Sequence, residues 1–180
     1  MNYSQYDAIA EKYDGLFTDD GSLSENAEVG EMLLPLSGKV LDIGCGTGLL
    51  TEIVKIEPER YFGIDPSARM LDIFKKKHPY YANHLICAPF DGKILDCNEF
   101  GSIIALFGSA SYLTGMTLLR LANCKSRRFL MFYKEEYHPV TYEKCAVEFT
   151  HFVHSKKVLA TMFGRENVRE YNNYLIVDCL

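Results

Sequence analysis

One apolar run contains an acid, Asp42, and leads into three glycines at the spacing of a site for a nucleotide-like ligand. Residues 40–48 read VLDIGCGTG, so a short buried strand passes into glycines at every second position. Glycine is needed where a chain turns sharply, takes a positive φ or brings its backbone against a ligand. A strand, a glycine-rich turn and the start of a helix therefore predict such a site at the carboxyl end of the strand.

The spacing of these glycines excludes two common phosphate sites. A dinucleotide fingerprint, Gly-x-Gly-x-x-Gly, that began at Gly44 would need its third glycine at the position of Leu49. A P-loop would need Gly-Lys-Ser/Thr after its first glycine and four further residues, and the chain has no such run. Asp42, just before the glycines, would repel a pyrophosphate and attract a ligand that carries an ammonium or sulfonium group.

A second acid follows at the distance expected for a sugar contact. Asp65 ends the apolar run 61–65, about 20 residues beyond the glycine turn, where an acceptor for ribose hydroxyls belongs. Two adjacent strand ends then offer one carboxylate to a cation and one to a sugar. S-adenosylmethionine has both groups and an adenine ring, so these residues predict it as the cofactor.

Strands and helices alternate along the chain, as in a doubly wound α/β domain. Two helices, at residues 3–17 and 24–34, precede the first strand and are predicted to cap its carboxyl end. Apolar runs predict strands at residues 40–43, 61–65, 84–88, 100–107 and 128–133, with helices at residues 48–56, 68–77 and 114–122 between them.

The last part of the chain has a different pattern. Residues 146–153 alternate loosely and predict a strand, and residues 155–163 predict a short helix. Two further strands are predicted at residues 168–171 and 174–179, on either side of Asn172-Asn173. We expect these two to pair in antiparallel fashion at the edge of the sheet.

Size, charge and cysteine usage restrict the class of protein. The 180 residues suit one domain, and a net charge of −5 argues against a nucleic-acid partner. No apolar run approaches the ~20 residues of a membrane span, and the first residues lack a secretory pattern. Six scattered cysteines without a Cys-x-x-Cys pair predict a reduced, cytoplasmic protein with no structural disulfide. His151 and His154 have no carboxylates nearby in the sequence, so no metal site is predicted.

The same segments resemble class I S-adenosylmethionine-dependent methyltransferases. Residues 40–48 resemble motif I of that family, and residues 61–67, with Met70-Leu71 beyond them, resemble its ribose-binding strand end. The pattern Tyr6-Asp7-x-x-Ala10-x-x-Tyr13-Asp14 resembles the N-terminal segment that covers the methionine end of the cofactor. The resemblance reaches from about residue 6 to residue 133.

This resemblance implies a Rossmann-like methyltransferase fold, a mostly parallel seven-stranded sheet with an antiparallel edge at the C-terminus. Residues 1–180 would form a single domain, with cap helices in residues 1–37 and the cofactor-binding core in residues 38–180. Asp42 would lie near the charged end of the cofactor, and Phe107 where cofactor and acceptor meet. The implied cofactor-binding residues are Tyr13, Asp42, Gly44, Cys45, Gly46, Gly48, Asp65, Pro66, Met70, Phe90 and Phe107.

The adenine end departs from the family pattern. Many relatives carry an acid after the third strand, whereas this chain continues with Cys87-Ala88-Pro89-Phe90. Phe90 would then pack on the adenine ring, and Asp91 would accept from its amino group.

The predicted activity is methyl transfer to a small-molecule acceptor. The sulfonium already makes the methyl group electrophilic, so the protein mainly aligns donor and acceptor, and a general base is needed only if the acceptor must lose a proton. Tyr137 and His138, after the fifth strand, are the candidate catalytic residues, although an ordinary polar loop explains them as well.

Two other functions remain open. One is a non-catalytic module that binds S-adenosylmethionine or S-adenosylhomocysteine. The other is a protein or RNA methyltransferase, which the acidic net charge disfavours for RNA. Base-modifying relatives carry Asn/Asp-Pro-Pro-Tyr/Phe after the fourth strand, where this chain has Leu106-Phe107-Gly108-Ser109.

Overall fold

A seven-stranded sheet forms the centre of the computed structural model, which describes residues 4–134, 147 and 149–180. The strands are β1 (Val40–Ile43), β2 (Tyr61–Asp65), β3 (Leu85–Cys87), β4 (Ser102–Ala105), β5 (Arg127–Tyr133), β6 (Val168–Tyr171) and β7 (Tyr174–Cys179). Their order is β3-β2-β1-β4-β5-β7-β6. The first five run parallel, and β7 is antiparallel to both β5 and β6. The predicted doubly wound sheet with an antiparallel C-terminal edge is confirmed.

Helices cover the sheet and separate its strands. The described α-helices are α1 (Ser4–Tyr13), α2 (Asp20–Leu33), α3 (Leu49–Ile53), α4 (Ala68–Lys77), α5 (Gly115–Ala122) and α6 (Lys156–Phe163). Ser67 caps α4 by accepting a hydrogen bond from the backbone N–H of Met70, and Thr114 and Ser155 cap the next two helices in the same way. None of the described helices has the length and hydropathy of a membrane span.

Several predicted boundaries were wrong. Helix α2 begins four residues before the predicted start because Asp19 caps it, accepting from the backbone N–H of Ser22 at 3.0 Å. Helix α3 ends at Ile53 rather than at residue 56, since Val54 takes an extended backbone. Residue 147 and residues 149–153 form no strand, because Phe149 packs on the Tyr6 ring instead of entering the sheet.

Both faces of the central strands β1, β4 and β5 are largely buried, which explains why these strands are mostly apolar. Leu41 and Ile103 face one side, in a cluster with α5 and α6. Val40 and Ile104 face the other side, in a cluster with residues of α2, α3 and α4. The chain leaves β1 toward β2 and later returns to β4 on its other side, so a crevice opens at the carboxyl ends of β1 and β4.

Two aspartates dock α1 along α4, and they explain the Tyr-Asp…Tyr-Asp spacing. Asp7 accepts from the Ser67 hydroxyl at 2.6 Å and from the backbone N–H of Arg69 at 3.3 Å, at the positive N-terminus of α4. Asp14 accepts from the Lys77 ammonium at 2.7 Å, at the opposite end of α4. Helix α1 is thereby fixed near the crevice.

One arginine joins the sheet to α2. The Arg127 guanidinium donates to the backbone carbonyls of Met32, Leu33 and Pro35 and also pairs with Asp178 on β7 at 3.3 Å. The Arg127 side chain is only 10% exposed, so water would not easily replace it as the donor to these acceptors if it were removed.

We expect Arg127→Met to lower the free energy of unfolding by about 2–4 kcal/mol, because it removes the donor of the backbone carbonyls near the end of α2 and one of the two arginine partners of Asp178. Urea denaturation would measure this. Arg120→Met is the matched control, since Arg120 pairs with Asp96 on the exposed surface and should change stability by less than about 1 kcal/mol. Equal losses in the two variants would contradict the assignment.

Candidate active site

A cleft opens where the carboxyl ends of β1, β2 and β4 meet, at the crossover point of the sheet. It encloses about 1010 Å³ of empty space, its open mouth included. The structure brings ten of the eleven predicted cofactor residues to its wall: Tyr13, Asp42, Gly44, Cys45, Gly46, Asp65, Pro66, Met70, Phe90 and Phe107. Gly48 lies outside the lining.

The glycine turn is shaped by close backbone approaches. Gly44 has a φ of +71°, and a Cβ there would lie 2.7 Å from the Ser109 hydroxyl, so the turn contacts the segment after β4. Gly48 has a φ of +102°, and a Cβ there would lie 2.8 Å from the Phe74 ring. Gly48 therefore allows the turn to pack on α4, which is a packing role rather than a place in the cleft wall.

Asp65 joins the glycine turn to the turn after β2. Its buried carboxylate accepts from the backbone N–H of Ser67 at 2.8 Å and of Gly46 at 3.0 Å. Burial raises the pKa of Asp65 to about 6, and these two N–H bonds oppose the rise. Each carboxylate oxygen keeps further acceptor capacity, which a ligand hydroxyl can use.

Asp42 is a second buried acid in the same wall, with 3% of its surface exposed. It accepts from the Tyr61 hydroxyl at 2.7 Å. Burial raises the pKa of Asp42 to about 7, while the Tyr61 hydroxyl lowers it and the charge of Asp65 raises it further. No ion pair found among the described residues includes Asp42 or Asp65, so the cleft favours a cationic ligand.

Phe90 and Pro89 form the wall after β3. Asp91, predicted to face the adenine amino group, is not part of that wall. Its carboxylate accepts from the backbone N–H of Lys93 at 2.9 Å and pairs with the Lys93 ammonium at 2.8 Å. The structure therefore keeps Phe90 at the cleft and directs Asp91 to a neighbouring turn.

Two tyrosines that the sequence did not single out as site residues belong to the cleft wall. The hydroxyls of Tyr6 and Tyr112 are 2.8 Å apart, and both side chains line the cleft. Burial raises the pKa of both phenols, so both are neutral at physiological pH. Tyr6 opens the N-terminal motif, but Tyr112 lies 106 residues away in a short 3-10 turn with no pattern of its own.

Phe107 holds an unusual backbone at the end of β4. Its φ is +43°, which is rare for a bulky side chain. The next residue is Gly108, where a Cβ would fall 2.1 Å from the Tyr133 ring. The Phe107 ring itself lies 5.8 Å from that of Tyr174. Such conformations persist where surrounding packing enforces them, and they cluster at functional sites.

The remaining predicted residues lie apart from this cleft or outside the description. Tyr137 and His138 fall outside the described residues. His151 stacks near Tyr133, with ring centroids 5.0 Å apart, and His154 lies 5.3 Å from the Phe132 ring. No group of three or more metal-ligating side chains was found within the described residues.

Comparison with known proteins adds to this geometry. Residues 40–124, which include β1, the glycine turn, β2, β3 and β4, match the family described as "Methyltransferase domain". The matched segment is a little under half of the chain. No curated protein sequence matches the chain significantly.

Solved structures share this fold along nearly the whole chain. A TehB-like SAM-dependent methyltransferase from Corynebacterium glutamicum has 13% identity and a TM-score of 0.60, covering 98% of this chain and 97% of its own. Magnesium protoporphyrin IX methyltransferase from Synechocystis PCC 6803, solved with bound SAH, has 17% identity and a TM-score of 0.61, covering 98% and 94%. A chain from Haloferax volcanii, in a complex with the Trm112 methyltransferase activator, has 15% identity and a TM-score of 0.65, covering 97% and 95%. The predicted resemblance to class I methyltransferases is confirmed.

The buried acids of the cleft make the stability of the protein depend on pH. Because folding raises the pKa of Asp42 from 3.8 to about 7, the folded state favours the protonated acid. This contribution to stability is complete below about pH 4 and is lost as the pH rises to about 7. Asp65 adds a smaller effect of the same sign, from 3.8 to about 6.

We expect Asp42→Asn to raise the free energy of unfolding at pH 8 by roughly 2–4 kcal/mol, since the amide removes a buried charge and still accepts from Tyr61. At pH 4 the variant and the parent should differ little. Urea denaturation between pH 4 and pH 8 would measure both. Asp72→Asn, at an exposed position on α4, is the control and should leave the pH dependence unchanged. A parental pH slope in Asp42→Asn would show that this carboxyl is not the titrating group.

Proposed function

We propose that this protein transfers a methyl group from S-adenosylmethionine to a small-molecule acceptor. The observation that carries the proposal is the pair of buried carboxylates, Asp42 and Asp65, at the ends of adjacent strands and in the wall of one cleft. A cation and a ribose are the groups that such a pair suits. The Synechocystis methyltransferase of similar fold was solved with bound SAH, the product of this cofactor.

The residues of the cleft fit the cofactor. Asp65 would accept from the ribose hydroxyls with the lone pairs left by Gly46 and Ser67. Gly46 has a positive φ and open space where a Cβ would lie, so the ligand can approach its backbone. Phe90 would contact the adenine ring. When bound, S-adenosylmethionine supplies an electrophilic methyl group on its sulfonium.

The other cofactor residues would hold and enclose this ligand. Tyr13 and Met70 form the side of the cleft under α1, with Pro66 and Cys45 between the two strand ends. The Tyr6–Tyr112 hydroxyl pair closes the opposite side. A site walled in this way excludes water and restricts the approach of the acceptor, and alignment accounts for much of the rate in such transfers.

The small-molecule acceptor is supported by the form and charge of this cleft. Helix α1 lies over the strand ends, docked at both ends of α4 by Asp7 and Asp14. The net charge of −5 disfavours RNA as the acceptor. Tyr137 and His138 follow β5, the strand next to β4, and we propose them as candidate general bases for acceptors that must lose a proton.

Calorimetry with S-adenosylmethionine and S-adenosylhomocysteine tests cofactor binding directly. We expect Asp65→Asn to weaken both ligands at least tenfold, on the order of 1.4 kcal/mol, because the amide accepts ribose hydroxyls less strongly and disturbs the clamp on Gly46. Asp91→Asn is the control and should bind like the parent, since Asp91 lies on the neighbouring turn. Parental affinity in Asp65→Asn would place the ribose elsewhere.

Methyl transfer needs a separate test. Incubation with S-adenosylmethionine labelled in its methyl group, over a panel of small acceptors and total RNA, should label only small molecules. Tight cofactor binding without transfer to any acceptor would favour the non-catalytic binding module instead. Label in RNA would contradict the acceptor class.

A further inference from the structure

A second cavity adjoins the cofactor cleft. It encloses about 1610 Å³ of empty space, its open mouth included, and it shares Tyr13, Thr47, Leu49 and Phe107 with the cleft. The turn between α1 and α2 forms one of its sides, and Tyr133 at the end of β5 and Tyr174 at the start of β7 form another. A molecule in this cavity would meet a ligand of the cleft at the four shared residues.

The lining combines aromatic rings with an excess of negative charge. The aromatic members are Tyr13, Phe17, Phe107, Tyr133 and Tyr174. Among the described residues of the lining, the charged members are four carboxylates and one ammonium: Asp14, Asp19, Glu25, Glu52 and Lys77. The described lining therefore carries a formal charge of −3.

The one ammonium is already bound by two of these carboxylates. Lys77 lies 2.7 Å from Asp14 and 2.6 Å from Glu52. It therefore has little positive charge left to attract an anionic molecule. Asp14 also accepts from the Thr47 hydroxyl, so the group is held against the glycine turn.

Glu25, on α2, has a neutral donor. It accepts from the side-chain amide of Asn172 at 2.8 Å. This donor brings no positive charge to the cavity. An ammonium group near Glu25 would gain Coulomb attraction, whereas a carboxylate or phosphate would be repelled.

We infer that the second cavity binds the methyl acceptor and that this acceptor carries a positively charged amine. Aromatic faces attract cations through their quadrupoles, and the carboxylates add charge of the opposite sign. Phe107 lines both cavities, so it lies where their ligands would meet. The inference rests on the proposed function, because it assigns the acceptor of the same methyl transfer.

Matched ligands test the inference on the full chain. Three sets of ligands would be used, built on the 2-phenylethyl, 2-(indol-3-yl)ethyl and 2-cyclohexylethyl groups. Each set contains the primary amine, the alcohol, and the carboxylic acid that has one more carbon. Each ligand would be titrated into protein saturated with S-adenosylhomocysteine. We expect an amine to bind at least tenfold more tightly than its alcohol, and the acids to show no binding. Alcohols or acids that bind as tightly as the amines, or no binding by any of the amines, would overturn the inference.

A charge variant separates this inference from the proposed function. Glu25→Gln keeps an acceptor for Asn172 but removes one negative charge, so it should weaken amine binding about three- to tenfold and leave the affinity for S-adenosylhomocysteine unchanged. Glu31→Gln, at an exposed position of α2 outside the lining, is the matched control. Loss of S-adenosylhomocysteine binding by the parent would refute the proposed function. Intact S-adenosylhomocysteine binding with amine affinity unchanged in Glu25→Gln would refute only the amine site.

Discussion

The clamp made by the Asp65 carboxylate is the interaction on which the rest of the site depends. One oxygen accepts from Gly46 in the turn after β1, and the other accepts from Ser67 at the start of α4. The two loops that a nucleotide-like ligand must touch are thereby fixed to each other before any ligand arrives. The Ser67 hydroxyl accepts from the backbone N–H of Met70, which caps α4, and it donates to Asp7 on α1. The Asp65 clamp is therefore connected to α1 through Ser67.

That chain of contacts explains how a short N-terminal helix becomes part of the site. Helix α1 buries a small apolar group, in which Ile9 and Ala10 cluster with Met70 and Phe149, and isolated helices of this length are marginal in water. Asp7 in α1 and Asp14 just after it meet charges of the appropriate sign at the two ends of α4. Tyr6 and Tyr13 are held over the strand ends as a consequence, and the cofactor cleft and the second cavity both take a wall from this segment.

Sequence patterns predicted the parts of the site that are local in the chain. The glycine turn, Asp42 and Asp65 are identified by spacing along two consecutive strand–turn units. Contacts between distant residues left no such pattern, as for Tyr6 and Tyr112, which are 106 residues apart. For Asp91 the sequence predicted a contact with the adenine amino group, but its carboxylate pairs with the nearby Lys93 instead. More of the fold than of the site could be predicted from the sequence. The alternation of strands and helices leaves few possible topologies, whereas the loops decide which side chains come together at the site.

The two buried acids of the cleft, Asp42 and Asp65, lower the stability of the ligand-free protein when they are ionised. Burial makes ionised Asp42 costly, and the Tyr61 hydroxyl offsets only part of that cost. Replacing a buried charge by a packed apolar residue often stabilises a core, so the presence of Asp42 is consistent with the ligand-binding role that we propose for it. A cation bound in the cleft would favour the ionised carboxyl that burial disfavours and would offset part of this cost. The same reasoning applies to Phe107, which has a strained backbone, lines both cavities and packs against one side of the core.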